Sequence, residues 1–333
     1  MVTIFVTHDN GMLGKKGNAV SFRKERGGSA ELVPVGVVDD VILLGKGSIS
    51  TPALHLLMEE DIPVHFIDGG GKYKGSLTSG RGKGYALKRL QFEAADSYEF
   101  MVRFVQSVVT SKIRNQQATL TRILYRNRPR DGELIVAIGR LEQLAERASS
   151  SCGLEELRGI EGIAAAEYFG VFGKGLLPPW KFTHRNRRPP RDPVNALLSF
   201  GYTLLLSRVV TAVTVAGLEP CVGFLHPEYR GRPSLALDLM EEFRSPIVDR
   251  MTLATFNQRL LDSSDFKRTE DDGLHLDRDG RQRVLLEFSR RVREETVNRA
   301  NGTRSSFGNH IESQARLFVA ALRGRAPYRP FEI

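Results

Sequence analysis

The sequence has 333 residues, of which 41% are hydrophobic and 26% are charged. This composition is ordinary for a soluble globular protein that folds without help, and the length suffices for two domains. There is no positively charged leader followed by an apolar core and no run of eighteen apolar residues, so we expect neither an export signal nor a membrane role.

The charge balance points to a partner class. Lys and Arg number 48 against 39 Asp and Glu, which gives a formal net charge of +9. Arginine predominates, and its planar guanidinium can bind two phosphate oxygens at once, so nucleic acid is the expected partner. The only cysteines, Cys152 and Cys221, lie in no zinc-binding spacing. They indicate a reducing cytoplasm, although a single disulfide between them stays open.

The N-terminal quarter of the chain has the pattern of a β domain. Short runs of β-branched and alternating apolar residues are bounded by turn signals, which predicts strands. One helix is expected over residues 51–60, where apolar residues recur at helical spacing and Pro52 lies in the first turn. We therefore expect a small, mostly antiparallel β domain over residues 1–78. The Gly-rich and basic segment 79–84, SGRGKG, is expected to be a linker.

From residue 85 onward the pattern is helical. Asp192 and Pro193 are expected to cap and begin one helix, and the polar segment 263–281 is expected to form a surface turn or short hairpin. The overall prediction is a multidomain α+β protein whose C-terminal domain, residues 85–333, is all-α. Besides a helix within residues 220–244, the apolar periodicity predicts helices over residues 85–126 (one long or two abutting), 135–149, 154–172, 194–216, 246–261, 284–299 and 311–322.

The stretch 220–244, PCVGFLHPEYRGRPSLALDLMEEFR, is the centre of the functional prediction. It places His226 after a short apolar run and then enters a helix on which Asp238 and Glu241, three residues apart, share a face. An imidazole with one or two carboxylates suits Mg²⁺ or Mn²⁺ and leaves positions open for water and phosphate oxygens. Alternatively, His226 caps an element and the acids form a solvated helix face. Spacing alone leaves both interpretations open.

A metal site of this kind needs a further acid, and the predicted helix 154–172 offers two. Glu161 lies between Gly159 and Gly162, and such small residues let a neighbouring backbone approach closely. This pattern favours Glu161 as the inward-facing carboxylate. Glu167 is the competing candidate; it lies six residues further on and so occupies a different part of the helix surface.

The segment 173–193 combines prolines, arginines and aromatic residues in one loop. Trp180 and Phe182 offer stacking surfaces beside cations, a combination typical of segments that contact nucleic acid. Alternatively, the arginines pair with acids of the following helices. Together with two arginines that follow His226, the predicted DNA-binding residues are Lys181, Arg185, Arg187, Arg188, Arg191, Arg230 and Arg232.

Four segments of the sequence resemble, in their order along the chain, the CRISPR-associated integrases, which are the Cas-one nuclease family of spacer acquisition. These segments are GIEGIAAAEYF, RRPPRDPVNALLSFGYTLL, GFLHPEYRGRPSLALDLMEEFR and SPIVDR. The resemblance covers the entire length. It implies a metal-dependent DNA endonuclease and integrase whose metal ligands are Glu161, His226 and Glu241, with Asp238 as a further catalytic acid. Some members carry Asp where Glu241 stands, so the resemblance leaves open whether Asp238 or Glu241 is the closer ligand.

The resemblance also implies a reaction and partners. A 3′-hydroxyl of protospacer DNA, a duplex with single-stranded ends, attacks CRISPR repeat DNA directly, so with Mg²⁺ or Mn²⁺ bound no protein nucleophile is needed. Family members act as homodimers, and a dimer of the Cas-two protein bridges two of them. A Cas-four-type accessory nuclease is a further partner that the resemblance implies. The domain over residues 1–78 is expected to make dimer and partner contacts, in the cytoplasm of a prokaryote.

Two other functions are considered beside the integrase. One is a non-catalytic, basic DNA-binding scaffold whose acidic cluster is inert, although the complete set of Glu161, His226 and Glu241 argues against it. The other is a metallo-phosphodiesterase that acts on RNA. Cleavage of DNA and of RNA under the same conditions separates these functions.

Overall fold

The structure, a computed structural model, describes residues 2–6, 11–23, 30–68, 73–79, 85–127, 130–186, 189–227, 229, 231–269 and 272–333. The chain divides into two compact units, Met1–Lys83 and Gly84–Ile333. Residues 80–84 of the expected linker lie outside the described residues. Cys152 and Cys221 are both exposed and form no disulfide with each other.

The described part of the N-terminal unit consists of short strands and one helix. Helix α1 begins as its sequence predicts, because Ser50 Oγ accepts a hydrogen bond from the Ala53 N–H and a proline lies in the first turn. The elements are β1 (Val2–Val6), β2 (Met12–Lys16), β3 (Ala19–Arg23), β4 (Glu31–Pro34), β5 (Val38–Leu44), β6 (Ser48–Ile49), α1 (Thr51–Glu59), β7 (Val64–Ile67) and β8 (Tyr73–Leu77).

The strands of this unit form two four-stranded sheets, in the orders β1-β5-β7-β8 and β4-β3-β2-β6. The expectation of mostly antiparallel pairing needs a correction. The pairs β1–β5, β5–β7 and β2–β6 are parallel, whereas β2–β3, β3–β4 and β7–β8 are antiparallel. The segment that contains α1 carries the chain back between β5 and β7, so both strands run in the same direction. Alternation of apolar residues does not reveal such a crossover.

One apolar cluster joins both sheets to α1. Val6 of β1, Leu13 of β2, Val20 of β3, Val41 of β5 and Leu57 of α1 are all fully buried in it. In β1 and β5 the cluster includes alternate residues, Ile4 and Val6 in one strand and Val41 and Leu43 in the other. This shared core holds the two sheets and the helix together as one unit.

The C-terminal unit is mainly helical, which with the strand-rich first unit confirms the predicted α+β class. The expected all-α domain needs one correction, because two short antiparallel hairpins, β9–β10 and β11–β12, lie among the helices. The first of them falls within the segment expected to form a turn or hairpin. The elements are α2 (Tyr85–Asp96), α3 (Tyr98–Asn127), α4 (Gly132–Ser150), α5 (Leu154–Phe172), α6 (Pro193–Val215), α7 (Ser234–Phe243), α8 (Arg250–Asn257), β9 (Phe266–Arg268), β10 (Leu274–Leu276), α9 (Arg278–Arg293), β11 (Glu295–Val297), β12 (Arg304–Ser306) and α10 (Phe307–Leu322).

Helix α6 is the central helix of this unit. Asp192 accepts a hydrogen bond from the Asn195 N–H at 2.9 Å, and a proline occupies the first turn, as the sequence predicts. By length and hydropathy α6 passes the test for a membrane-spanning helix, and it is the one described helix that does so. Most of its side chains are buried by the surrounding helices. The core helix of a globular unit has these properties, so burial within the unit accounts for its apolar character.

Three helices around α6 position the candidate site. Helix α3 packs against α5 and α7, and α7 also packs against α6. A π-helical turn, Arg244–Asp249, joins α7 to α8, so the chain is helical from α7 through α8 without a loop. Such π-helical turns frequently occur at functional sites, because the extra residue changes the direction in which neighbouring side chains point.

Candidate metal-binding site

Glu161 of α5 points toward α3, where its carboxylate contacts the ammonium of Lys112. Glu167, the competing acid, is also half-buried, but it pairs with Arg140 of α4 at 3.1 Å. The residue that the sequence favours is therefore the one that faces α3, but the reason given for it is wrong. A Cβ at Gly159 or Gly162 would meet no atom within 4 Å, so these glycines do not mediate a close approach of helices.

Lys112 joins Glu161 to the acid of α7. Its Nζ lies 2.6 Å from Glu241 Oε2 and at the same time contacts Glu161 Oε1. Both Lys112 and Glu241 are almost fully buried, with side-chain exposures of 9% and 3%. One cation therefore lies between two carboxylates that come from different helices.

His226 lies in the loop before α7, beside both acids of that helix. Its Nδ1 is 2.7 Å from Asp238 Oδ1, and its Nε2 is 3.7 Å from Glu241 Oε1. With Nδ1–H donating to the Asp238 carboxylate, which is the tautomer that this contact favours, Nε2 presents its lone pair toward Glu241. Asp238 thus fixes the orientation of the imidazole, as carboxylates commonly do for metal-binding histidines.

Asp238 is fully buried, and both of its oxygens are engaged by the loop. Oδ2 accepts hydrogen bonds from the N–H groups of Phe224 and Leu225 at 2.6 and 3.0 Å, and Oδ1 accepts one from the His226 N–H at 3.0 Å. Together with the imidazole contact, these bonds shape the loop around the carboxylate. This arrangement leaves Glu241 better placed than Asp238 to bind a cation.

Arg244 adds a second cation next to Glu241. Its Nε donates to Glu241 Oε1 at 2.8 Å, and its guanidinium lies 4.7 Å from the ring centroid of Tyr202. Burial acts to raise the pKa of Glu241, but the charges of Arg244 and Lys112 outweigh it and hold this pKa well below its usual range. Glu241 is therefore ionised throughout the neutral pH range.

A buried acid behind the site ties its helices together. Asp249 accepts hydrogen bonds from Tyr168 of α5 at 2.9 Å and from Tyr202 of α6 at 2.5 Å. Burial raises the pKa of Asp249 to about 6, although the bonds from Tyr202 and Tyr168 oppose the shift. Burial also raises the pKa of both tyrosines well above 10. Both tyrosines stay protonated and act as donors that position α5 and α6.

Glu242, the next residue along α7, points away from Glu241 into the core. Its carboxyl group accepts hydrogen bonds from Tyr328 Oη at 2.5 Å, the Phe331 N–H at 2.7 Å and Gln314 Nε2 at 3.1 Å. Burial raises the pKa of Glu242 to about 8, and the bonds from Phe331, Tyr328 and Gln314 oppose this shift. The two neighbouring glutamates thus differ in charge at neutral pH, because only Glu241 has cations beside it.

The C-terminal segment that contacts Glu242 also contacts α3 on both sides of Lys112. Ser111 Oγ donates to the Phe331 carbonyl at 2.5 Å, and Asn115 Nδ2 donates to the same carbonyl at 2.9 Å. The Ile333 N–H donates to Asn115 Oδ1 at 2.9 Å. Residues 328–333 therefore brace α3 and α7 from behind the candidate site.

The residues fit a divalent cation in type and in charge, but they do not form a ready ligand set. Within the described residues, no group of three or more His, Cys, Asp or Glu side chains is arranged to hold a metal ion as it stands. Lys112 instead occupies the position between Glu161 and Glu241. Glu241 Oε2 makes no hydrogen bond of good geometry although it is buried, so it is an acceptor suited to a metal ion.

The predicted DNA-binding residues fall into three groups. Lys181 and Arg191 are exposed, and Arg232 is half-buried. Arg185 is engaged within the unit: its guanidinium donates to Asn195 Oδ1 at 2.6 Å and to Ser199 Oγ at 2.9 Å, and it also lies over the Tyr202 ring. The remaining three, which lie outside the described residues, are Arg187, Arg188 and Arg230.

The aromatic residues of the same loop do not offer free stacking faces. The Trp180 ring lies 4.5 Å from that of Phe256, and the Phe182 ring lies 5.4 Å from that of Phe172. Both aromatic side chains are half-buried and pack against helices. The expectation that they stack on nucleic acid is therefore not supported by their positions.

Sequence reasoning missed Lys112 and Arg244. Arg244 lies three residues after Glu241, the spacing of a helical ion pair, and this signal could have identified it. Lys112 has no local signal, because its partner Glu161 is 49 residues away and it lies within a long helix among apolar residues.

Helix α3, helix α5 and the segment from His226 to Arg244 thus bring together two carboxylates, an imidazole and two cationic side chains. These residue types are found in enzymes that use a divalent metal ion. The sequence matches the family model described as CRISPR associated protein Cas1 over residues 4–290. The chain therefore belongs to the Cas1 family, the Cas-one family that its motifs resemble. This membership confirms the predicted enzyme class, since curated members of the family are named endonucleases.

Two curated relatives illustrate the relationship. The chain is 40% identical to CRISPR-associated endonuclease Cas1 1 of Thermus thermophilus over 308 residues. This alignment covers 92% of each of the two chains. It is 35% identical to a Cas4 exonuclease/Cas1 endonuclease fusion of Rhodospirillum rubrum over 325 residues. That alignment covers 96% of this chain and 55% of the fusion.

Solved structures show the same fold. A Cas1 protein from Thermotoga maritima is similar with a TM-score of 0.84 and 25% identity, over 99% of this chain and 100% of that one. A chain of a Cas6-RT-Cas1–Cas2 complex is similar with a TM-score of 0.86 and 26% identity, over 99% of this chain and 36% of that one. The fold therefore extends over nearly all of the chain.

Proposed function

We propose that the protein is a metal-dependent DNA endonuclease and integrase that inserts protospacer DNA into a CRISPR array. In the proposed reaction a DNA 3′-hydroxyl attacks a phosphodiester of the repeat. The observation that carries the proposal is the convergence of Glu161 and Glu241 on one cationic group, with His226 beside them. Membership of the Cas1 family supports the same conclusion.

Glu161, His226 and Glu241 would hold Mg²⁺ or Mn²⁺, which would take the place of the Lys112 ammonium. When bound, the metal polarises the scissile phosphate and lowers the pKa of the attacking hydroxyl. Asp238 would orient His226 rather than bind the metal, since its oxygens already accept bonds from the loop. This division of roles gives Glu241, rather than Asp238, as the closer ligand.

The other residues of the site act on charge and position. Lys112 and Arg244 keep Glu241 ionised, so no proton has to leave this carboxylate before a metal binds. Asp249 holds Tyr202, and the Tyr202 ring supports the guanidinium of Arg244. Tyr202 and Asp249 thus help to fix the position of Arg244 beside the Glu241 carboxylate.

The proposed substrates are double-stranded DNA with single-stranded ends and CRISPR repeat DNA. Exposed Lys181 and Arg191 would contribute phosphate contacts. We further propose a homodimer, with the domain over residues 1–78 in dimer and partner contacts, in a prokaryotic cytoplasm. A Cas2 dimer would bridge two homodimers, and a Cas4-type nuclease would assist. The fold match to a chain of a complex with Cas2 and the relative fused to Cas4 support these partners.

Cleavage and integration assays with Mn²⁺ test the proposal on the wild type and two variants. Glu161→Gln should lower the rate on branched DNA by about 100-fold or more, since even groups that only orient ligands cost about 10- to 100-fold. Glu167→Gln removes an equal charge from the same helix and should retain activity. Equal cleavage by wild type and Glu161→Gln would overturn the catalytic role and favour the scaffold. Faster cleavage of RNA than of DNA would favour the phosphodiesterase acting on RNA.

A further inference from the structure

Four arginines of the C-terminal unit lie close enough together for their charges to interact, and none of them is among the predicted DNA-binding residues. Arg250 and Arg291 are half-buried at the start of α8 and near the end of α9, whereas Arg122 of α3 and Arg299 after β11 are exposed. We call these residues the arginine cluster. By their burial, we call the half-buried pair the floor of the cluster and the exposed pair its rim.

Neutral acceptors hold the floor in place. Arg250 Nε donates to Thr119 Oγ1 at 2.9 Å. Arg291 donates to the Pro246 carbonyl through Nε at 3.2 Å and through Nη2 at 2.6 Å, and its guanidinium lies 4.8 Å from the centroid of the Phe307 ring. These contacts fix the two guanidinium groups without neutralising their charge.

The positive charge of the cluster is poorly compensated. Glu294 pairs with Arg291 at 2.5 Å. In the described part of the chain, no carboxylate lies within ion-pair distance of Arg122, Arg250 or Arg299. Burial lowers the pKa of Arg250 to about 10, and the charges of Arg291, Arg122 and Arg299 act in the same direction. A half-buried cation among like charges destabilises the fold, so the cluster favours an anion.

The cluster lies on the same side of α3 as the candidate metal-binding site. Thr119, which holds Arg250, is seven residues after Lys112, and such residues share a face of a helix. At a rise of 1.5 Å per residue they are separated by about 10 Å along the axis. This spacing corresponds to about three nucleotide steps of a B-form strand at 3.4 Å each.

We propose that Arg122, Arg250, Arg291 and Arg299 bind the phosphate backbone of a DNA strand whose neighbouring segment lies in the candidate metal-binding site. The inference rests on the proposed function, because it takes DNA as the substrate. Guanidinium groups donate paired hydrogen bonds to phosphate oxygens. The bound phosphate neutralises charge that the protein leaves uncompensated. Because only phosphate is contacted, binding there is independent of base sequence.

The test uses Arg122→Gln, which removes an exposed charge from the rim and no contact of the fold that the structure shows. Its control is Arg126→Gln, which removes an equal exposed charge one turn further along α3. All binding is measured in EDTA, on full-length protein, so that catalysis does not enter. The probes are inorganic phosphate, at constant ionic strength, and the branched DNA of the cleavage assay.

We expect phosphate to raise the Tm of the wild type and of Arg126→Gln, and to raise that of Arg122→Gln by less than half as much. The DNA Kd of Arg122→Gln should rise by about 10-fold at low salt, and the slope of log Kd against log salt should fall by about one. Arg126→Gln should change the Kd by less than about twofold. Without phosphate, Arg122→Gln should be at least as stable as the wild type.

Equal effects of the two variants on DNA affinity would overturn the inference and indicate a diffuse basic surface. The inference would also be overturned if Arg122→Gln abolished the increase in Tm caused by phosphate but left the DNA affinity unchanged. That result would indicate a site for free phosphate. Failure of the proposed function would be a different result: Glu161→Gln would cleave DNA as fast as the wild type in the presence of Mn²⁺. An Arg122→Gln protein that binds DNA normally and cleaves it normally would leave the proposed function intact.

Discussion

The Lys112 ammonium lies 2.6 Å from Glu241 Oε2 and at the same time contacts Glu161 Oε1. One cation of the protein thus holds together the two carboxylates that are proposed to bind a metal ion. Without it, two ionised carboxylates would face each other in a largely buried site, where their repulsion is strong. Lys112 therefore stabilises the metal-free protein and competes with the metal for the same position.

Replacing Lys112 by Met should separate these two effects. In EDTA the Lys112→Met protein should have a lower Tm than the wild type, because its carboxylates lose their common cation. Its affinity for Mn²⁺, measured by isothermal titration calorimetry, should rise by about 10-fold, which corresponds to about 1.4 kcal/mol of removed competition. Mn²⁺ should consequently raise the Tm of the variant more than that of the wild type.

Lys174→Met provides the control for that experiment. Lys174 also contacts two carboxylates, those of Asp131 and Glu133, at 2.9 and 3.1 Å, but it lies outside the candidate site. Its replacement should leave Mn²⁺ affinity unchanged. If Lys112→Met instead binds Mn²⁺ more weakly than the wild type, Lys112 supports the metal rather than competing with it.

Replacing Asp238 by Asn should weaken metal binding through His226. The amide keeps one oxygen for the loop N–H groups but loses the charge that orients the imidazole. Mn²⁺ affinity should fall by about 10- to 100-fold. Asp192→Asn is the control, because Asp192 also accepts a backbone hydrogen bond, at the start of α6, but contacts no histidine. Unchanged Mn²⁺ affinity of Asp238→Asn would show that His226 needs no carboxylate.

Glu242 should make the stability of the protein depend on pH. Burial raises its folded pKa to about 8 from an ordinary value of 4.5, so the folded state binds the proton more tightly than the unfolded chain. The stabilisation is therefore complete below about pH 4.5 and is lost as the pH rises through about 8. Glu242→Gln stays neutral and should avoid this loss.

Chemical denaturation at pH 5, 7 and 9 measures the effect. Between pH 5 and pH 9 the wild type should lose a few kcal/mol of unfolding free energy relative to Glu242→Gln, at about 1.4 kcal/mol per pKa unit. Glu167→Gln is the control, since Glu167 lies on α5 and pairs with Arg140. A constant difference between wild type and Glu242→Gln across this range would mean that Glu242 is ionised in the fold.

Arg185 and Arg191 should differ although they belong to the same loop. Arg185 donates to Asn195 and Ser199, so Arg185→Gln should lower the Tm, with a loss of about 1 to 3 kcal/mol for its charged hydrogen bonds. Arg191 is exposed, so Arg191→Gln should leave the Tm unchanged and reduce the salt dependence of DNA binding by about one phosphate contact. Filter binding at several salt concentrations and thermal unfolding distinguish the two. An unchanged Tm for Arg185→Gln would show that its contacts within the unit are dispensable.

Local patterns predicted most helices well and the long-range contacts poorly. The helix expected over residues 284–299 instead covers Arg278–Arg293 and is followed by β11. Helix α5 has the predicted bounds, and Asp192 with Pro193 begins α6 as predicted, because capping and periodicity depend on nearby residues. The parallel pairing of β5 with β7 depends on a crossover through α1, which no strand pattern records. The position of Lys112 depends on the packing of α3 against α5 and α7, so only the folded chain reveals it.

The same limit applies to neighbouring residues. The sequence places Glu241 and Glu242 side by side, and periodicity indicates that they point in different directions. It does not show that Arg244 and Lys112 ionise the first while the core keeps the second protonated at neutral pH. The charge of each carboxyl group is set by groups that approach it from other helices.

The brace formed by residues 328–333 affects the order in which the protein matures on the ribosome. The side chains proposed to bind the metal all leave the ribosome well before this segment does. The hydrogen bonds that Phe331 makes to Ser111 and Glu242 form only afterwards. A nascent chain that already carries every proposed ligand therefore still lacks the rear support of α3 and α7, and metal capture should follow synthesis of that segment.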